Sequence, residues 1–102
     1  MTQTTQAVLR AMLDRRAEDV YGLEICSATG LPSGTVHPIL ARFEALGWLE
    51  SSWEKADPRE QGRPRRRYYR FAPGGAQTAQ FAIAEATAST SARGRLHPQP
   101  GF

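Results

Sequence analysis

The run Leu31-Pro32-Ser33-Gly34-Thr35-Val36-His37-Pro38-Ile39-Leu40-Ala41-Arg42-Phe43-Glu44-Ala45-Leu46-Gly47 decides how the rest of this 102-residue chain is read. Within it Val36, Ile39, Leu40, Phe43 and Leu46 recur at helical spacing, so one side of a helix is apolar. The opposite side carries Thr35, His37, Ala41, Arg42 and Ala45, small or hydrogen-bonding groups that leave the helix slim enough to enter a DNA groove. Ser33 is expected as the N-cap and Gly47 as the stop. Pro38 breaks the pattern, because a proline inside a helix lacks a donor and crowds the carbonyl four residues back. That earlier residue is Gly34, and its missing side chain is read as the room the ring needs.

Upstream, Val8, Leu9, Met12 and Leu13 predict a first helix over residues 5–16, with Thr4 or Thr5 as its cap. A second helix is predicted over residues 20–29, with Val20, Leu23 and either Ile25 or Cys26 inward and Gly30 ending it. Residues 30–32 then form the turn into the decisive helix. Downstream, residues 48–54 have strand composition, with Leu49, Ser51 and Trp53 on one face. After a turn-rich loop over 56–64, residues 65–71 read as a second strand in which Arg67, Tyr69 and Phe71 alternate against Arg66, Tyr68 and Arg70. Tyr69 is assigned inward and Tyr68 outward; a shift of one residue would exchange them. Trp53 is expected to pack across the hairpin against the inward set.

Residues 76–88 are alanine-rich and predict a C-terminal helix whose only large apolar groups are Phe81 and Ile83. Residues 89–102 lack periodicity and are expected to form a flexible tail. The expected architecture is mainly α with a β-hairpin: a winged helix-turn-helix over residues 1–75, a C-terminal helix over 76–88 available for dimerisation, and the tail. That element order matches a winged helix-turn-helix, in which the third helix enters the major groove and the hairpin flanks it.

Composition narrows the function. Forty per cent hydrophobic residues supply one modest core. The formal charge is only +3, yet nine of the ten acidic residues precede Gly62, while residues 63–70 hold five arginines and no acid. Such a basic segment suits phosphates better than a membrane surface, since no basic amphipathic helix accompanies it. Cys26 is the single cysteine, which rules out an intrachain disulfide, and neither His37 nor His97 has metal-ligand spacing to a partner. No cofactor is expected. No leader-like N-terminus or apolar run of membrane length is visible, so a cytoplasmic protein is expected. An enzyme is disfavoured, because no nucleophile-base-acid arrangement, phosphate-cradling glycine loop or metal motif occurs.

Four runs together carry a family resemblance: Val20-Tyr21-Gly22-Leu23-Glu24-Ile25, the start of the decisive helix from Leu31 to Leu40, Arg42-Phe43-Glu44-Ala45-Leu46-Gly47-Trp48-Leu49-Glu50-Ser51, and Gly62-Arg63-Pro64-Arg65-Arg66-Arg67-Tyr68-Tyr69-Arg70-Phe71. Over residues 20–75 the chain resembles the PadR family of transcriptional regulators. The resemblance implies a winged-helix homodimer that represses promoters, often releasing DNA when a small molecule binds. It also implies a phosphate contact for Tyr21, whose other reading is a tyrosine at the core edge. His37 stands where the family commonly has tyrosine, and the C-terminal helix is shorter and poorer in leucine than usual. No apolar cavity for an effector is evident in so short a chain.

The residues expected on double-stranded DNA are Tyr21, Ser33, Thr35, His37, Arg42, Arg63, Arg65, Arg66 and Tyr68. Ser33, Thr35 and His37 occupy the leading turn of the decisive helix, within reach of base edges or phosphates. Arg42 reaches either the backbone or a neighbouring carboxylate. Arg63, Arg65 and Arg66 lie on the wing, where guanidinium groups follow phosphates or enter a narrow minor groove. The competing reading is a winged-helix protein-interaction module, an anti-repressor or assembly subunit, whose arginine wing grips an acidic partner.

Overall fold

The first helix starts at a threonine two residues earlier than the periodicity suggests. In the computed structural model, which describes residues 1–55 and 57–96, Thr2 is extended and its hydroxyl accepts the Thr5 N–H, opening α1 (Gln3–Leu13). Thr2 rather than Thr4 or Thr5 is therefore the cap. The helix buries Val8, Leu9 and Met12 as expected, together with Ala11, which the periodicity did not single out, while Leu13 is only half-buried against the core.

Val20 and Tyr21 do not begin the second helix. They form a two-residue strand, β1 (Val20–Tyr21), and α2 (Gly22–Thr29) follows. Starting the helix at Gly22 turns Gly22 and Ile25 inward, so Leu23, expected in the core, is 58% exposed. Gly30 ends α2 in the left-handed conformation, as a residue without Cβ can do cheaply.

The decisive stretch folds as α3 (Ser33–Ala45), burying Val36, Ile39, Leu40 and Phe43. Its N-cap is Pro32, whose carbonyl accepts from the Thr35 and Val36 amides. Ser33 is therefore the first helical residue and not the cap. The fixed φ of proline suits the extended cap position, here φ −72°. Leu46 ends the helix and is 57% exposed rather than buried. The reading of Gly34 as room for Pro38 also fails: a Cβ at residue 34 would have nothing within 4 Å. Helical Cβ atoms point back toward the N-terminus, away from a ring four residues ahead.

The hairpin strands are shorter than expected, β2 (Leu49–Trp53) and β3 (Arg67–Phe71), with one helical turn, α4 (Pro58–Gln61), inside the connecting loop. β3 is the middle of a three-stranded antiparallel sheet in the order β1-β3-β2. Its register pairs Leu49 with Phe71, Ser51 with Tyr69, Trp53 with Arg67, and Tyr21 with Tyr68. Leu49 and Tyr69 face the helices and are buried, as the alternation predicts. Trp53 is 60% exposed, because it closes β2 at the end remote from buried Leu49.

α5 (Gly75–Leu96) runs past residue 88, where the helix was expected to stop. Residues 89–96 contain no proline, and the one glycine among them costs only about 1 kcal/mol of helix propensity. The rest of the expected tail, residues 97–102, lies outside the described residues. Among the α5 side chains described, those of residues 75–88, Ala79 and Ile83 are the buried apolar ones, while Phe81 is 67% exposed. The core fills the space between α1, α2, α3 and the inner sheet face, with Leu9, Met12, Ile25, Leu40 and Leu49 wholly enclosed.

Candidate nucleic-acid interface

The leading turns of α3 are presented to solvent. Ser33 and His37 are exposed, Thr35 is half-buried, and Arg42 is exposed further along the helix. His37 leans on the first residue of α2: a Cβ at Gly22 would stand 2.3 Å from its Cε1. Glycine at position 22 is what allows α3 to seat this ring against the start of α2.

Tyr21, the residue before Gly22, continues the surface onto the sheet. Its ring meets the Tyr68 ring edge-on at 5.8 Å between centroids, as their pairing across β1 and β3 dictates. The Arg66 guanidinium lies 4.3 Å above the Tyr21 ring, an attraction between a cation and the negative face of the ring. His37, Gly22, Tyr21, Tyr68 and Arg66 thus form one continuous strip from the third helix to the wing. Arg65 is exposed beside Arg66.

Arg63, Arg67 and Arg70 pair with carboxylates. Arg63 donates to both Glu54 carboxylate oxygens, at 2.7 and 3.0 Å, and the Tyr68 hydroxyl donates to the same carboxylate at 3.3 Å. The Arg63 bonds hold the Glu54 carboxyl below the usual carboxylate range, against an opposing push from its partial burial, and raise Arg63 in return. Arg67 donates to Glu44 of α3 and to the Ser51 hydroxyl, which itself donates to Glu44. Arg70 donates to Glu50 across the β2–β3 pair at 3.1 Å. Sequence reading missed Glu44, Ser51 and Glu54. The β2–β3 register alone could have found Glu54, since pairing Trp53 with Arg67 puts the residue that follows β2 beside Arg66.

A helical layer packed on a small antiparallel sheet, with the third helix exposed and a long hairpin beside it, defines a winged-helix protein. Residues 11–80 match the transcriptional regulator PadR-like family, and the chain belongs to it. Members of the family are DNA-binding transcriptional regulators, not enzymes.

Among solved structures, the chain is similar to a PadR family transcription regulator from Clostridium difficile, at 19% identity and TM-score 0.66 over 93% of this chain and 98% of that one. It is similar to the smu.1704 protein of Streptococcus mutans at 23% identity and TM-score 0.64, over 84% and 81% of the two chains. A third similar structure is Bordetella bronchiseptica BpsR, whose DNA binding is regulated by 6-hydroxynicotinic acid: 24% identity, TM-score 0.64, over 96% and 69%. At these identities the likeness is one of fold. No curated protein sequence matches the chain. Among the described residues no helix is long and apolar enough to cross a membrane, and no group of three or more His, Cys, Asp or Glu could hold a metal ion.

Proposed function

We propose that the chain binds double-stranded DNA sequence-specifically as a homodimer and represses transcription by occluding the promoter. The observation that carries this reading is the strip joining the exposed start of α3 to the wing through His37, Gly22, Tyr21 and Arg66. A helix end that enters the major groove and a cationic flank on the adjoining backbone need to be contiguous in this way. Ser33, Thr35 and His37 meet base edges or the nearest phosphates. Tyr21, Arg42, Arg65, Arg66 and Tyr68 meet the backbone, and Arg63 belongs to the same surface. The dimer is built on α5, which exposes the large apolar side chain of Phe81. A two-fold dimer then reads two half-sites ~34 Å apart.

Selection of bound sequences from a random duplex pool, at near-physiological salt with non-specific competitor, tests the reading. A two-fold-symmetric motif is expected. Neutralising six or more phosphates would also lower affinity roughly a thousandfold between about 50 and 200 mM salt. Recovery of no motif by folded protein, with a flat salt response, would turn the assignment toward a protein-interaction module with an acidic partner.

A further inference from the structure

Among the described residues, Glu54 is a carboxylate that takes part in the wing through both its side chain and its main chain. Its side chain is only 12% exposed and takes both Arg63 bonds and the Tyr68 hydroxyl. Its amide donates to the Arg66 carbonyl at 2.7 Å. Arg63 lies nine residues on, across the wing loop, so one residue fastens the outgoing strand to the returning chain at three places.

We propose that Glu54 is the positioning residue of the wing, and that Arg63 serves this clamp while Arg65 and Arg66 face the phosphates. The inference rests on the DNA-binding reading given above. If Arg63 swung out to a phosphate, it would leave a largely buried carboxylate with Tyr68 as its remaining side-chain donor, and an unpaired carboxylate removed from water is unfavourable. With the clamp closed, the Glu54 amide pins the Arg66 carbonyl and the Arg66 guanidinium rests on Tyr21. Arg66 is then held at both its main chain and its side chain.

The sign of one substitution decides the matter. Removing an acid beside a DNA-binding surface ordinarily tightens binding, because phosphate repulsion is relieved. Glu54→Gln is expected to do the opposite. In full-length protein titrated with a labelled duplex from the selected pool, E54Q and R63A should each weaken binding about tenfold. The double variant should be no weaker than either one, since both break the same contact. Each should lower the slope of log affinity against log salt by about 1–2, as Arg65 and Arg66 lose their register. Amide exchange at Glu54 should accelerate in both variants, and the melting temperature should fall further in R63A, which leaves the carboxylate charged and unpaired, than in E54Q, with circular dichroism showing both folded at the assay temperature.

Tighter or unchanged binding by E54Q, with R63A weakened and the two effects additive, would overturn the proposal and place Arg63 on a phosphate. Faster exchange without loss of affinity would equally overturn it while leaving the DNA reading intact. Absence of DNA binding by the unsubstituted chain would remove the DNA reading and this proposal together.

Discussion

Gly75, the first residue of α5, has no room for a side chain. A Cβ there would lie 2.1 Å from the Trp48 carbonyl oxygen, 3.0 Å from its carbonyl carbon and 3.3 Å from its Cα, all of them backbone atoms. That carbonyl already accepts the Ala72 amide at 3.0 Å, and the Trp48 ring stacks on Phe43 with centroids 4.8 Å apart. Neither group can retreat without moving α5 or the entry to β2. Overpacking a filled site costs about 1–3 kcal/mol, against a helix-propensity gain of at most about 1 kcal/mol for Ala over Gly. Gly75→Ala should therefore lose about 1–2 kcal/mol, or roughly 5–15 °C in melting temperature for a domain of this size. Gly34→Ala is the internal control: its Cβ meets nothing, and it should gain about 0.5–1 kcal/mol. Both are read from urea unfolding followed by circular dichroism, at one chain concentration so that any association is held constant. The reasoning is refuted if G75A is as stable as the parent. A destabilised G34A would reinstate Gly34 as the residue that accommodates Pro38.

If the proposed dimer forms through α5, Phe81→Glu should convert it to a monomer in sedimentation equilibrium while leaving the fold intact, because the side chain is 67% exposed and the buried apolar side chains among residues 75–88 are Ala79 and Ile83. Acid should open the wing before it unfolds the domain. The folded pKa of Glu54 is depressed by Arg63, so its contribution is fully present above the ordinary value of 4.5 and is lost as pH falls through the lower folded value. Tyr68 ring resonances should stay unchanged from neutrality down to about that ordinary value and shift only below it.

The third helix was legible because its evidence is periodic: four of its apolar residues all point to one face, and all four are buried. The alternation of Tyr68 and Tyr69 was legible for the same reason. A two-residue strand has no period, so β1 was read as the start of a helix, and the inward face of α2 was misjudged at Leu23. Caps fared worse than faces. Threonines at 2, 4 and 5 are equivalent in composition, and only the extended backbone at Thr2 distinguishes it. The proposed Gly34–Pro38 fit rested on proximity in sequence and overlooked the direction of Cβ. For the site, residue types pointed to the surface but not to what already occupies it. That occupancy depends on which residues the hairpin places opposite one another.

That pairing changes the meaning of the charge pattern. Along the chain, acids precede Gly62 and a block of arginines follows it, as though two surfaces of opposite sign were being made. Antiparallel pairing brings the two halves face to face: Glu50, Glu54 and, from α3, Glu44 meet Arg70, Arg63 and Arg67. Two of these pairs are exposed enough that each adds only about 0–1 kcal/mol of stability. Their larger effect is on the field, because three of the five arginines in residues 63–70 act close to carboxylates. These carboxylates therefore offset much of the positive charge that Arg63, Arg67 and Arg70 would otherwise present along the hairpin. Under the proposed DNA-binding reading, the same pairing that shapes the wing also lowers its net attraction for phosphates, so affinity depends on where the wing is held more than on how many arginines it carries.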